Sequence, residues 1–375
     1  MFFLESFKRV CRREAVLLIA MAAALASMAL CPPSPVYGTY IDFPTLCLLF
    51  CLMAVVAGFQ QCGVFDRLAK KLLSGQRSFR SLALILVLLP FFSAMLLTND
   101  VSLLTFVPFS ILLLRMAGEA RWTGYIVVLQ TVAANLGSML LPFGNPQNLF
   151  LYSRYRLSFP DFFRTVFPFA GVSLLGLVLA VQFLGRRTVR VAMPASQAPR
   201  SPRKLLLFSA LFLLCLLSVC RVLDTWVLLV LTLAALLACS RETLRAIDYS
   251  LLLTFVCFFV FSGNLGQSPA VRQFLGGLLQ ASTAGTALLS SQLISNVPAA
   301  VLLSGFTENA HGLLLGTNIG GLGTPIASLA SLISLRLYAK SERARTGRYL
   351  RLFTAVNLIG IAVLLVLAYA LHLFP

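Results

Sequence analysis

Four short polar segments interrupt otherwise apolar stretches of this sequence, and they contain the residue types best suited to hold an ion or a small solute. They are Thr98-Asn99-Asp100, Gly144-Asn145-Pro146-Gln147-Asn148, Ser295-Asn296-Val297-Pro298, and Thr317-Asn318 continuing through Gly323-Thr324-Pro325. Proline, glycine and asparagine at this density stop a helix, so each segment should leave half-helix ends with free N–H or carbonyl groups. Free N–H ends suit an anion, and carbonyls joined by Asn, Ser and Thr oxygens suit Na+. The site expected on this basis comprises Thr98, Asn99, Asp100, Gly144, Asn145, Pro146, Asn148, Ser295, Asn296, Thr317, Asn318, Thr324 and Pro325. A Na+ site is expected at Asn99, Asp100, Asn145 and Asn296. The competing reading is that these side chains only cap broken helices in a buried bundle.

Asp100 is the sharpest single residue. Of the twelve acids, it alone falls in the middle of a long apolar run, whereas Asp42 and Asp248 sit where helices begin. An ionisable residue at membrane depth is costly and points to function. Asp100 is therefore the expected coupling residue, binding a cation or carrying a proton; its alternative role is to cap the second half of a hairpin. No Lys or Arg is predicted near the membrane midplane, so a multivalent anion would be held by dipoles, hydroxyls, amides and a bound cation.

The elements that position these segments follow from composition. The chain has 375 residues, is 59% apolar and only 11% charged, and has a mean hydropathy of +0.91. Soluble domains carry about 25% charged residues, so a soluble enzyme and a disordered chain are both excluded. The net charge of +18 does not indicate nucleic-acid binding, because the 30 Lys and Arg cluster between apolar runs, as the positive-inside rule requires. Nine cysteines without a CxxC suggest small core residues, and two histidines exclude a His-rich metal site. The basic start before the run at 15–31 resembles a signal peptide. Glu5, Glu14 and the absence of a small-x-small cleavage site favour a retained helix.

An internal repeat is also visible. Residues 41–72 answer 247–278, pairing Asp42 with Asp248, Gly58 with Gly263 and Arg67 with Arg272. Residues 96–106 answer 293–303, and 135–149 answer 318–329, with Gly144-Asn145-Pro146 set against Gly323-Thr324-Pro325. With 81–115 and 282–306 read as hairpins, all basic residues except Arg154, Arg156, Arg164, Arg221 and Arg272 lie on one side. The copies are then inverted, with an N-terminus in the cytoplasm and a C-terminus outside. The expected fold is an all-α polytopic membrane protein of two inverted repeats, with about nine spanning helices, two re-entrant hairpins, and broken helices at 123–151 and 312–335. The first repeat covers 1–185, a basic cytoplasmic loop and linker helix 186–224, and the second repeat 225–375. Inverted repeats with interrupted helices at the midplane characterise secondary transporters.

The order of these motifs resembles the ion transporter superfamily: a tip Asn-Asp, a broken helix Gly-Asn-Pro-Gln-Asn, a tip Asn-x-Pro, and a broken helix Gly-x-Pro-Ile-x-Ser-Leu. That superfamily includes citrate-type permeases, arsenite efflux permeases, sodium/proton antiporters and divalent-anion/sodium symporters. In the divalent-anion branch both tips carry Ser-Asn-Thr. Here Asp100 and Val297 stand at the third position, which is more similar to the citrate- and arsenite-permease branch. The resemblance implies an ion-coupled secondary transporter of the cytoplasmic membrane, with Na+ or H+ as coupling ion and an elevator-like moving domain. The implied solute is a small anion, either an organic acid such as citrate or a dicarboxylate, or an oxyanion. Sodium/proton antiport and arsenite efflux are the alternatives, and a homodimer is the assembly to test. A membrane-embedded enzyme is disfavoured, since HExxH, a GxSxG elbow and paired intramembrane acids are all missing.

Overall fold

A computed structural model describes residues 15–29, 31–64, 67, 75–185, 187–191, 201–342 and 344–373. The basic cluster at Lys8–Arg13, Asp66 and much of the basic loops at 68–74 and 192–200 lie outside the described residues.

Sixteen helices of eight residues or more make up most of the described chain. The first half contains α1 (Ala15–Ser27), α2 (Phe43–Gln61), α3 (Phe79–Leu97), α4 (Asn99–Met116), α5 (Thr123–Ser138), α6 (Pro146–Arg154) and α7 (Phe159–Gln182). Helices α8 (Pro202–Val219) and α9 (Thr225–Cys239) follow. Then come α10 (Tyr249–Leu265), α11 (Pro269–Ala281), α12 (Thr283–Ile294), α13 (Asn296–Leu303), α14 (Ala310–Gly320), α15 (Leu329–Ala339) and α16 (Thr346–Ala370). Six of these, α2, α3, α4, α7, α8 and α16, are long and apolar enough to cross a bilayer, and α10 with α11 forms a pair bent by 103°. The protein is therefore a polytopic membrane protein. Large apolar side chains such as Leu175, Val230, Ile359 and Val366 face outward, while Gln130, Asn135, Asn148 and Asn318 are buried. Lipid outside and paired polar groups inside is the arrangement a bilayer demands.

One element departs from the all-helical expectation. Strand β1 (Gly75–Ser78) pairs antiparallel with β2 (Thr188–Val191), Gly75 opposite Val191 and Ser78 opposite Thr188. The Thr-Val-Arg-Val segment is rich in β-branched residues, and the Phe79 N–H extends the ladder to the Arg187 carbonyl at 2.7 Å. The pair ties the start of α3 to the end of α7, helped by the Arg80 guanidinium on the Leu184 carbonyl.

Helices α3 and α4 form an antiparallel hairpin. Ser93 Oγ lies 2.6 Å from Ser102 Oγ, and further from the tip Gln130 of α5 donates both to the Leu86 carbonyl and to Ser110 Oγ. Pro90 cannot donate to that Leu86 carbonyl four residues back. The Gln130 amide supplies the missing hydrogen bond, so an interrupted helix is tolerated at membrane depth. The second hairpin, α12 and α13, has 12 and 8 residues, about 18 and 12 Å against a hydrocarbon core of about 30 Å. Neither arm can cross. The arms of the first hairpin, 19 and 18 residues, are long enough to cross, but crossing twice and re-entering both return the chain to the face it left.

The two expected broken helices are present as α5–α6 and α14–α15. Each first half packs against the preceding hairpin through a glycine: a Cβ on Gly137 would lie 2.1 Å from the Phe91 carbonyl oxygen of α3, and one on Gly320 would lie 2.8 Å from Ser291 of α12. Asn135 and Asn318 stand two residues before these glycines.

Candidate functional site

The two hairpin tips share one unusual backbone. Thr98 has φ 96 and ψ 148, and Ser295 has φ 74 and ψ 154. Positive φ is uncommon for any residue with a Cβ and an outlier for β-branched threonine. Such conformations cost about 1–3 kcal/mol and persist only where the surroundings impose them. Here they turn the chain so that the next residue, Asn99 or Asn296, opens a new helix. At the first tip Asn99 Oδ1 accepts from the Asp100 N–H, and Asn99 Nδ2 donates to Asn135 Oδ1 at 3.0 Å. At the second tip the Ser295 hydroxyl and the Asn296 N–H both donate to the Ala327 carbonyl.

The breaks are cross-braced. Asn145 is the N-cap of α6, accepting from the Asn148 N–H, and Ser328 is the N-cap residue of α15. Asn135 accepts from Ser328 Oγ at 3.0 Å and donates to Ser331 Oγ and to the Gly321 carbonyl. Asn318 donates to Asn148 Oδ1 and accepts from Asn145 Nδ2. Each asparagine thus reaches the cap residue, and the residue three further on, of the other broken helix. This pairs Asn145 with Ser328 and Asn148 with Ser331, each a fixed distance from its asparagine. Pro142 is then the counterpart of Pro325. The match of Gly144-Asn145-Pro146 to Gly323-Thr324-Pro325 is displaced accordingly, because α15 starts only at Leu329, four residues beyond Pro325.

Tips and breaks meet at a cavity of about 10 Å³, lined by Asn99, Asp100, Pro146, Gln147, Leu251, Asn296, Val297, Ser328 and Leu329. That is about the room of one water or one small ion. Asp100 Oδ1 is buried there without a hydrogen-bond partner. Asn99, Asp100, Pro146 and Asn296 are brought together as expected from the sequence. Asn145, Asn148 and Asn318 lie in the adjoining buried brace, with Asn148 Nδ2 on the Met139 carbonyl and Asn145 Nδ2 also on Ser138 Oγ. Thr317 bonds back to Leu313 of its own helix. Gly144 makes a tight turn, where a Cβ would lie 2.1 Å from the Ser138 carbonyl oxygen. Thr324 is exposed and bonded to Gln292, and neither it nor Pro325 lines the cavity. Sequence reasoning missed Asn135, Gln147, Ser328 and Ser331 as site residues. Gln147 sits inside a motif already singled out, and Ser328, Ser331 and Ser334 recur at the i, i+3 spacing of one helix face.

Residues 2–311 match the citrate transporter family. The chain belongs to this family. It is similar to the inner membrane protein YbiR of Escherichia coli, 33% identical over 79% of this chain and 80% of that protein. It is also similar to the uncharacterized transporter MJ0456 of Methanocaldococcus jannaschii, 31% identical over 88% of this chain and 90% of that one. A partial relative is the silicon efflux transporter LSI3 of Oryza sativa, 30% identical over 38% of this chain and 30% of its own length. With the apolar helices, the family and these relatives make the chain an integral multi-pass transporter, acting on a small molecule or ion and not an enzyme.

Proposed function

We propose that this citrate transporter family member is an ion-coupled secondary transporter of a small anion, a carboxylate or an oxyanion, working by alternating access. The observation that carries the reading is the meeting of both strained tips and both break ends at one cavity holding amides, a hydroxyl and a single carboxylate. First-turn N–H groups of α4, α6 and α13 suit the anion, and Asp100 with Asn99 and Asn296 suits Na+ or a proton. The exchange-symmetric brace favours two inverted repeats, over 1–185 and 225–375, joined through 186–224. The basic loops favour an N-terminus in the cytoplasm and a C-terminus outside, in the cytoplasmic membrane.

The test is uptake into vesicles of purified protein under imposed Na+ or pH gradients, with citrate, succinate, phosphate and arsenite in parallel. We expect one of these solutes to accumulate and the accumulation to collapse when the driving gradient is dissipated. Equal flux with and without any gradient would defeat ion coupling, and no flux of any solute would defeat the solute class. Orientation is read separately, in a variant whose exposed Cys220 and Cys239 are replaced by serine. Ser201→Cys is expected to label only from the cytoplasm, and Ser158→Cys and Asn309→Cys only from outside. Labelling of positions 201 and 309 from one face would sink the inverted arrangement.

A further inference from the structure

A second, much larger cavity of about 1230 Å³ opens at the far ends of α4, α5, α15 and α16, away from the tips. Its wall carries Arg115, Arg121, Lys340, Arg345 and Arg348 against one carboxylate, Glu342. Arg115 is paired with Glu342 at 2.6 Å, and Arg121 with Glu119 at 3.2 Å while also lying over the Trp122 ring. Among the described residues, the side chains of Lys340, Arg345 and Arg348 have no ion pair. A concave surface with surplus cations and low-dielectric walls concentrates anions, and guanidinium forks fit paired oxygens.

The floor of this cavity leads toward the tips. Tyr349, stacked on Tyr338 at 4.6 Å, lines the cavity and sets its hydroxyl 3.3 Å from Ser334 Oγ. Ser334 accepts from Thr131 at 2.7 Å. One turn further along α15, Ser331 accepts from Asn135, which also accepts from Asn99 at the first tip. This seam of hydroxyls and amides between α5 and α15 is buried throughout.

We infer that the basic cavity binds a multivalent oxyanion group, and that it is the vestibule from which the Tyr349–Ser334–Ser331–Asn135 seam reaches the transport site. The vestibule role rests on the transporter reading given above; the oxyanion site does not. A free carboxylate or phosphate and a phospholipid headgroup present the same chemistry, so the experiment separates them. Trp122 and Trp226 are the two tryptophans of the chain, and Trp226 is half exposed on α9. The Trp226→Phe protein in phosphatidylcholine nanodiscs therefore reports on the cavity through Trp122 emission. At constant ionic strength with chloride as control, citrate and phosphate are expected to shift that emission saturably. Arg345→Gln/Arg348→Gln should weaken both titrations about tenfold, as loss of charge-assisted hydrogen bonds does. In vesicles the same double variant should raise KM with little change in the maximal rate. Emission that moves only when phosphatidylglycerol is added assigns the oxyanion site to a headgroup and overturns the vestibule role. No response to either overturns the site. Asn99→Ala, placed in the transport machinery, should lose flux and keep the Trp122 titration, so failure of the transport reading remains distinguishable from failure of this one.

Discussion

Asn135→Ala is expected to lower transport in reconstituted vesicles about 100-fold, the scale on which small misplacements of binding groups act, while Asn318→Ala loses thermal stability with less loss of rate. The two residues occupy equivalent places and make equivalent cross-links, yet their partners differ. Asn135 holds Asn99 and Ser328, and both line the small cavity. Without it the first tip and the second break lose their shared anchor; the freed Asn99 amide and Ser328 hydroxyl can turn to water in the cavity, whereas the buried Ser331 hydroxyl and Gly321 carbonyl lose a donor. Asn318 holds Asn145 and Asn148, which are buried and do not line the cavity. Its loss leaves the enclosed Asn148 Oδ1 without its donor, at about 1–3 kcal/mol for a stranded group, while Asn145 Nδ2 keeps Ser138 Oγ. Flux per folded molecule and melting temperature in detergent, measured on both variants, decide the matter. Wild-type flux in Asn135→Ala would show that the first tip positions itself, and the brace would then be scaffold alone.

The difference between these two asparagines could not be read from the chain. The apolar runs, the polar interruptions and the identity of the tip residues were legible, because proline, asparagine and glycine act on their own backbone within a few residues. The Asp42 and Asp248 caps were legible for the same reason, and both accept from the N–H three residues on. The register of the second break was not. Gly323-Thr324-Pro325 resembles Gly144-Asn145-Pro146 letter by letter, yet where a half-helix starts depends on which side chain meets the other repeat. Ser328 meets Asn135 from 193 residues away. The basic cavity was hidden for a similar reason. Its cations come from 115–121 and from 340–348, and each group alone reads as an ordinary topology signal. Even the strand pair joins segments more than a hundred residues apart, each too short to be distinguished from loop.

Asp100→Asn is expected to separate binding from coupling. The Asp100 side chain lines the cavity beside Asn99, Gln147, Asn296 and Ser328, and its Oδ1 has no hydrogen-bond partner. Its backbone N–H is held by Asn99 Oδ1, so the fold of the tip does not depend on the carboxylate. An uncompensated carboxylate at this depth is expensive unless it takes a proton or a cation. Substrate binding that follows this occupancy links the two fluxes, since a ligand that stabilises one state shifts the population toward it. The amide introduced by Asp100→Asn has the same shape as the carboxylate and can still bond a substrate oxygen, but it has neither the charge nor the exchangeable proton. The variant should fold, keep exchange of labelled for unlabelled solute across the vesicle membrane, and lose accumulation driven by Na+ or by pH. It should also lose whatever pH or Na+ dependence the wild-type exchange displays. If Asp100→Asn still concentrates solute against its gradient with that dependence unchanged, Asp100 is not the coupling residue. Coupling would then fall to Asn99, Asn296, Gln147 and the carbonyls of the break ends, which can coordinate Na+ but cannot carry a proton at neutral pH.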